Sequence, residues 1–237
     1  MEQLPEDWQR GIVIAAHPDD IEYGAAAAVA RWTRQGKDIR YVLVTSGEAG
    51  IAGLLPAESA PLREAEERTG AKIVGVTEVE FLGYPDGRVE ESIALRRDLA
   101  AAIRRHRPDM VILFNFSDTW ARGYANSADH RATGRAALDA VSDAGNEWIH
   151  PEIADLPIHS PRWAAVYGVP DGSHAVDVTE TIEPAVESLM AHARYLEALS
   201  PDPVADQARA VIDMTAGPKE GFPAAHAVSF ELYHFSE

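Results

Sequence analysis

A run of apolar residues, Ile12-Val13-Ile14-Ala15-Ala16, stops at His17-Pro18-Asp19-Asp20, so one imidazole and two carboxylates fall within four positions. Imidazole nitrogen and carboxylate oxygen are the ligands zinc takes when no thiolate is offered, and both groups also move protons near neutral pH. In His-x-x-Asp a tight turn, which Pro18 helps to fix, brings His17 and Asp20 to one cation, while Asp19 points elsewhere and stays free. Two ligands leave a zinc site incomplete, and Asn126-Ser127-Ala128-Asp129-His130 offers a third in His130. Three protein ligands leave the fourth position to water, the pattern of a catalytic rather than a structural zinc. From spacing alone His130 keeps a second and commoner reading, an Asp-His pair that merely opens a helix. The His17 cluster is the stronger signal, because adjacent carboxylates at the mouth of a buried strand need a cation or a polar partner.

The elements that must position these residues alternate between β and α patterns. Strands are expected at Ile12 to Ala16, Ile39 to Val44, Val79 to Leu82, Met110 to Phe114 and Trp163 to Val169, each a short continuous apolar run. Helices are expected between them. Ala25 to Arg34 is alanine-rich and ends at Gly36, Pro61 to Val74 opens on proline, and Ile93 to Arg105 ends on basic residues. Another runs from about Asp129 to Val141, and Ile182 to Leu199 and Val204 to Met214 complete the set. Continuous apolar strands alternating with helices predict an α/β fold: a Rossmann-like, doubly wound, mostly parallel sheet with helices on both faces. In strand order 3-2-1-4-5 the fourth strand lies beside the first, which turns the distance between His17 and His130 in sequence into proximity in space. Two segments outside this pattern, Ala49 to Ala60 and Phe116 to Ala128, both follow strands, where open α/β sheets bind ligands. No glycine fingerprint follows the first strand, which argues against a nicotinamide cofactor.

Composition narrows the chemistry further. At 237 residues with 46% hydrophobic and 25% charged content, the chain suits one domain, with a core over about 10–170 and a helical elaboration over about 180–237. It contains no cysteine, so a metal must be held by histidine and carboxylate. A net charge of -17 argues against nucleic acid and for a neutral or cationic small molecule. No apolar run reaches the ~20 residues of a membrane span, and the acidic N-terminus is unlike a secretory leader, so a cytoplasmic protein is expected. A homo-oligomer stays open.

The ordered motifs carry a resemblance. Ala16-His17-Pro18-Asp19-Asp20-Ile21-Glu22-Tyr23-Gly24 resembles the first motif of the LmbE-like, or PIG-L, family of zinc-dependent N-acetylglucosaminyl deacetylases. Val44-Thr45-Ser46-Gly47-Glu48-Ala49-Gly50, Leu62-Arg63-Glu64-Ala65-Glu66, Phe81-Leu82-Gly83-Tyr84-Pro85-Asp86-Gly87 and Asp129-His130-Arg131 follow in the family's order. The resemblance implies zinc on His17, Asp20 and His130, Asp19 as general base, and Arg63 and Asp86 as polar contacts to substrate or to the reacting carbonyl. Iron or another divalent ion fits the same ligands. One departure stands out: where the family carries His-Pro-Asp-His, this chain has Ser127, Ala128, Asp129 and His130. Serine donates a hydrogen bond but is no acid near neutral pH, so proton shuttling by Asp19 by itself becomes more necessary. Asp129, without its usual partner, either braces His130 or simply sits at a helix start capped by Ser127. Ser127, Glu48 and Trp120 are the remaining substrate-contact candidates, with Tyr124 and Asn126 beside Trp120. The reaction so implied is removal of an N-acyl group from an amino sugar or related small amide. A zinc hydratase or lyase on the same scaffold, or a non-catalytic metabolite-binding protein, is the alternative.

Overall fold

The computed structural model describes residues 1–169 and 172–235. Its strands are β1 (Glu2–Gln3), β2 (Arg10–Ala15), β3 (Asp38–Leu43), β4 (Val79–Phe81), β5 (Met110–Phe114), β6 (Thr119–Ala121), β7 (Tyr124–Ala125), β8 (Trp163–Tyr167), β9 (His174–Asp177) and β10 (Ala227–His234). Its helices are α1 (Ala26–Arg34), α2 (Pro56–Ile73), α3 (Ile93–His106), α4 (Ala128–Ala144), α5 (Ile182–Met190), α6 (Ala193–Leu199) and α7 (Val204–Thr215).

Eight strands form one sheet in the order β1-β9-β10-β8-β5-β2-β3-β4. Within it β4, β3, β2, β5 and β8 are mutually parallel, the 3-2-1-4-5 order expected of a doubly wound fold. Alternate residues of β2 serve opposite faces. Val13 and Ala15 pack with α1 residues such as Val29 and Trp32 and with Leu189 of α5, while Ile12 and Ile14 pack with Leu99 and Ile103 of α3 and Ala136 and Ala140 of α4. Burial on both faces is why these strands read as unbroken apolar runs.

Local signals set several boundaries. Ser92 caps α3 by accepting a hydrogen bond from the Leu95 amide at 3.2 Å. Three basic residues close its last turn, as the helix dipole favours. Helix α2 begins at Pro56 rather than Pro61; the earlier proline takes the first helical turn, where a missing N–H costs nothing. The expected helix Ile182 to Leu199 is two, broken at Ala191 and His192. The loop Phe116 to Ala128 contains a small hairpin, β6 with β7.

The C-terminal region is not helical throughout. Strand β10 runs antiparallel between β8 and β9 and widens the sheet on that side. Val228, Phe230 and Leu232 alternate with Ser229, Glu231 and Tyr233, the period-two signal of a strand, and the first three are buried. No helix among the described residues is long and apolar enough to cross a membrane.

Candidate active site

The site lies at the carboxyl ends of β2 and β5, where the direction of strand order reverses. The chain leaves β2 through a turn closed by Asp20, whose Oδ2 accepts the amides of Ala16 at 3.1 Å and His17 at 2.8 Å. That turn aims the His17 ring at the loop after β5. His17 Nδ1 stands 3.2 Å from His130 Nε2 and 3.4 Å from Asp20 Oδ2, and His130 Nε2 stands 2.9 Å from Asp20 Oδ1. A tetrahedral ion with metal–ligand bonds of ~2.0–2.1 Å has ligand–ligand edges of about 3.3–3.4 Å, so these three residues fit a single zinc-sized cation.

Each imidazole turns its other nitrogen to a fixed oxygen. His17 Nε2 lies 3.2 Å from Asp129 Oδ2 and 3.2 Å from Asp86 Oδ1. His130 Nδ1 lies 2.9 Å from Asn126 Oδ1, and the Asn126 amide donates to the Asn115 and Ser117 carbonyls. Such partners fix the tautomer that leaves the facing nitrogen free to ligate. Burial opposes charge on His17, yet Asp20, Asp129 and Asp86 outweigh it and hold the imidazole well above its ordinary pKa. Burial likewise works to raise Asp20, but His130 and His17 drive it far below the usual carboxylate range. The pattern is a buried excess of negative charge that calls for a cation at one point.

Asp19 stands beside this cluster and outside it. Its carboxylate Oδ1 accepts from Arg63 Nη2 at 2.8 Å, while Arg63 also donates to the Pro18 and Gly47 carbonyls. The guanidinium lies 3.8 Å over the Tyr195 ring. Gly47, at φ +63°, permits this approach, since a Cβ there would lie 2.5 Å from Arg63 Nη1. Burial raises the Asp19 carboxyl to about 6, with Arg63 acting against it. The Asp19 backbone has φ 91°, one of two non-glycine residues with positive φ among those described. Such a conformation costs about 1–3 kcal/mol and persists only where its surroundings hold it.

A cavity of about 400 Å³ opens over these groups. His17, Asp19, Asp20, Arg63, Asp86, Ser127, His130 and Trp120 all line it, so most of the expected site residues meet in one place. Glu48 does not line it. Its Oε1 accepts the Asp86 amide at 2.9 Å, which sets it behind Asp86. Ser127 does cap α4, its hydroxyl accepting the Asp129 amide at 3.2 Å. Asp129, however, braces His17 and not His130, and it accepts the Gly87 and Val89 amides at 2.7 and 3.1 Å. Tyr195 and Tyr23 line the cavity without having been expected there. Tyr23 belongs to the first motif, whereas Tyr195 has no local signal and arrives only because α6 folds back over Arg63.

The PIG-L family pattern, described as GlcNAc-PI de-N-acetylase, matches residues 12–141, the segment that contains all three ligand candidates. The diacetylchitobiose deacetylase of Thermococcus kodakarensis is 28% identical over 190 residues, covering 78% of this chain and 70% of its own. A probable N-acetyl-alpha-D-glucosaminyl L-malate deacetylase 2 of Bacillus anthracis is 28% identical over 191 residues, covering 77% of this chain and 79% of its own. The structure of N,N'-diacetylchitobiose deacetylase from Pyrococcus horikoshii superposes with a TM-score of 0.82 at 24% identity, over 97% of this chain and 85% of that one. With its fold, its ordered motifs and its clustered histidines and carboxylates in agreement, this chain belongs to the PIG-L family, and the relatives named here are deacetylases.

Proposed function

We propose that the protein removes the N-acetyl group of a small amino sugar or amino-sugar conjugate, using a zinc ion held by His17, Asp20 and His130. The observation that carries this reading is the convergence of those ligands within 2.9–3.4 Å of one another while the adjacent Asp19 carboxylate stays unligated in the same cavity. A bound divalent ion supplies Lewis acidity, which lowers the pKa of a water to about 7 and polarises an acetamide carbonyl. Asp19 takes the proton of the water that adds to that carbonyl and returns it to the nitrogen as the C–N bond breaks, giving acetate and a free amine. A carboxyl raised to about 6 suits both halves of that exchange near neutral pH. Arg63, with its donors on Asp19 and two carbonyls, acts in this reading chiefly by holding Asp19. Ser127, on the cavity wall, donates a hydrogen bond in this reading to the carbonyl oxygen as it gains charge. The sugar would lie against Trp120, Phe114 and Tyr195, apolar faces beside a few fixed polar groups.

The test is acetate release by the zinc-loaded protein from N-acetylglucosamine, N,N'-diacetylchitobiose and N-acetylglucosaminyl malate. Asp19→Asn should keep one equivalent of metal and lose about 10²–10⁴-fold in turnover. His17→Ala and His130→Ala should each lose most of the metal. Full activity of Asp19→Asn would end the proton-transfer assignment. Acetate from none of the sugars, with water added across an unsaturated acid instead, would favour the hydratase.

A further inference from the structure

Helix α2 grips Asp19 at two points. Arg63 Nη2 holds the side chain through Oδ1 at 2.8 Å, and Glu67 Oε2 accepts the Asp19 backbone N–H at 3.0 Å. The two gripping residues are one helical turn apart and so reach the same side of the helix. They close on a residue whose φ is 91°, the conformation that must be held from outside. Glu67 is fully buried, and its Oε1 has no hydrogen-bond partner. Behind it stand two further buried groups: His192 Nε2 is 3.8 Å from Glu67 Oε2 and 3.5 Å from Glu22 Oε2. Removing a carboxyl from water with so few partners is unfavourable, and an apolar side chain of that size would fill the space more cheaply. The bond that distinguishes Glu67 from such a side chain is the one to the Asp19 amide.

We propose that Glu67 is a positioning residue for Asp19, holding its backbone in the left-handed conformation that directs the carboxyl to Arg63 and the cavity. The inference deepens the reading of Asp19 as proton carrier and rests on it for its effect on rate; the effect on conformation stands without it. What Glu67 supplies is an acceptor oxygen, so its charge is not required. Glutamine keeps that acceptor, and methionine, of similar length and tolerant of burial, does not.

The experiment compares Glu67→Met with Glu67→Gln, both zinc-loaded, by crystal structure, metal content and kinetics on N,N'-diacetylchitobiose. In Glu67→Met, Asp19 is expected to relax to negative φ and to part from Arg63. Its kcat should fall about 10- to 100-fold with KM nearly unchanged, the scale expected when a reacting group is displaced by about an ångström. Glu67→Gln should retain the wild-type Asp19 conformation and most of the turnover. In an Asp19→Asn background Glu67→Met should add almost no further loss, because the residue it serves is already gone. A purely structural role would lower stability and leave kcat per folded, loaded molecule alone. Asp19 unmoved in Glu67→Met overturns the proposal, as does an unaltered kcat alongside an inactive Asp19→Asn. The Glu22, Glu67 and His192 donor atoms lie within 4.8 Å of one another, so a second metal equivalent lost in Glu67→Met would make Glu67 an ion ligand and also overturn it. If Asp19→Asn retains full turnover, the proton-carrier reading fails while the crystal structures still decide the conformational claim.

Discussion

His17 and His130 are held from behind by different means. His17 has two carboxylates on its Nε2, whereas His130 has the single Asn126 carbonyl oxygen. Asn126 is itself fixed, buried and bonded to the Asn115 and Ser117 carbonyls, so it sets the His130 ring rather than following it. Asn126→Ala should weaken zinc affinity about 10–100-fold, measured by chelator competition, with Asp19 geometry unaffected. Affinity equal to that of the unmodified protein would show that Asn126 does not brace the ring. Asn126 was legible in the sequence only as a polar residue on the loop before His130, with a substrate wall as its expected role. Asp129 shows the same limit more sharply. Its neighbour in sequence is His130, yet the side chain serves His17, at the end of the adjacent strand. Adjacent residues at a helix start point in different directions, and nothing local says what each direction meets.

Two elements place most of the site. Helix α2 supplies Arg63 and Glu67 to the back of Asp19, and α4 presents Asp129 and His130 from its first turn. The position of α4 along β5 depends on Gly134, one turn after His130: a Cβ at that residue would lie 2.3 Å from the Phe116 Cβ, an atom with no freedom to swing away. Gly134→Ala should therefore push α4 off the loop after β5 and destabilise the fold by about 1–3 kcal/mol, read from the urea midpoint. Zinc affinity should fall with it, since His130 rides on the displaced turn. A variant as stable as the parent, binding zinc equally well, would show that the helix is not held by this approach. Helix existence was legible from spacing and caps, but the break at His192 was not. Its consequence, a ring turned into the space beside Glu22 and Glu67, depends on the packing of α5 and α6 over α2.

Across the whole molecule, buried carboxyls set the pH range of stability. In the folded chain burial raises Asp19 to about 6, Glu22 to about 7 and Glu67 to about 8. Between the ordinary carboxylate range and those values the folded state holds protons that the unfolded state has released, so stability falls as pH climbs through that window. Glu80, held low chiefly by its His106 hydrogen bond, and Asp177, held low by Thr179, act in the opposite sense and lose their contribution as pH drops below the usual carboxylate range. The net charge of -17 adds repulsion that grows with pH, in the same direction as the buried groups. The metal-free protein should accordingly show its highest urea midpoint near about pH 5 and a steady decline toward about pH 8. A midpoint level or rising over that range would contradict the burial of these acids.

The parallel strands, their helices and the meeting of His17, Asp20 and His130 could be read from the residues, because continuous apolar runs and a strand ending in His-x-x-Asp are short-range signals with few other uses. The order of β2 and β5 followed from topology rules that hold for the class. Tertiary structure alone decided which carboxylate backs His17, that α2 clamps Asp19 from two positions, that Tyr195 covers Arg63, and that β10 enters the sheet between β8 and β9. Each of these joins segments far apart in the chain, and such contacts depend on how helices settle on a finished sheet, which no local pattern of residues encodes.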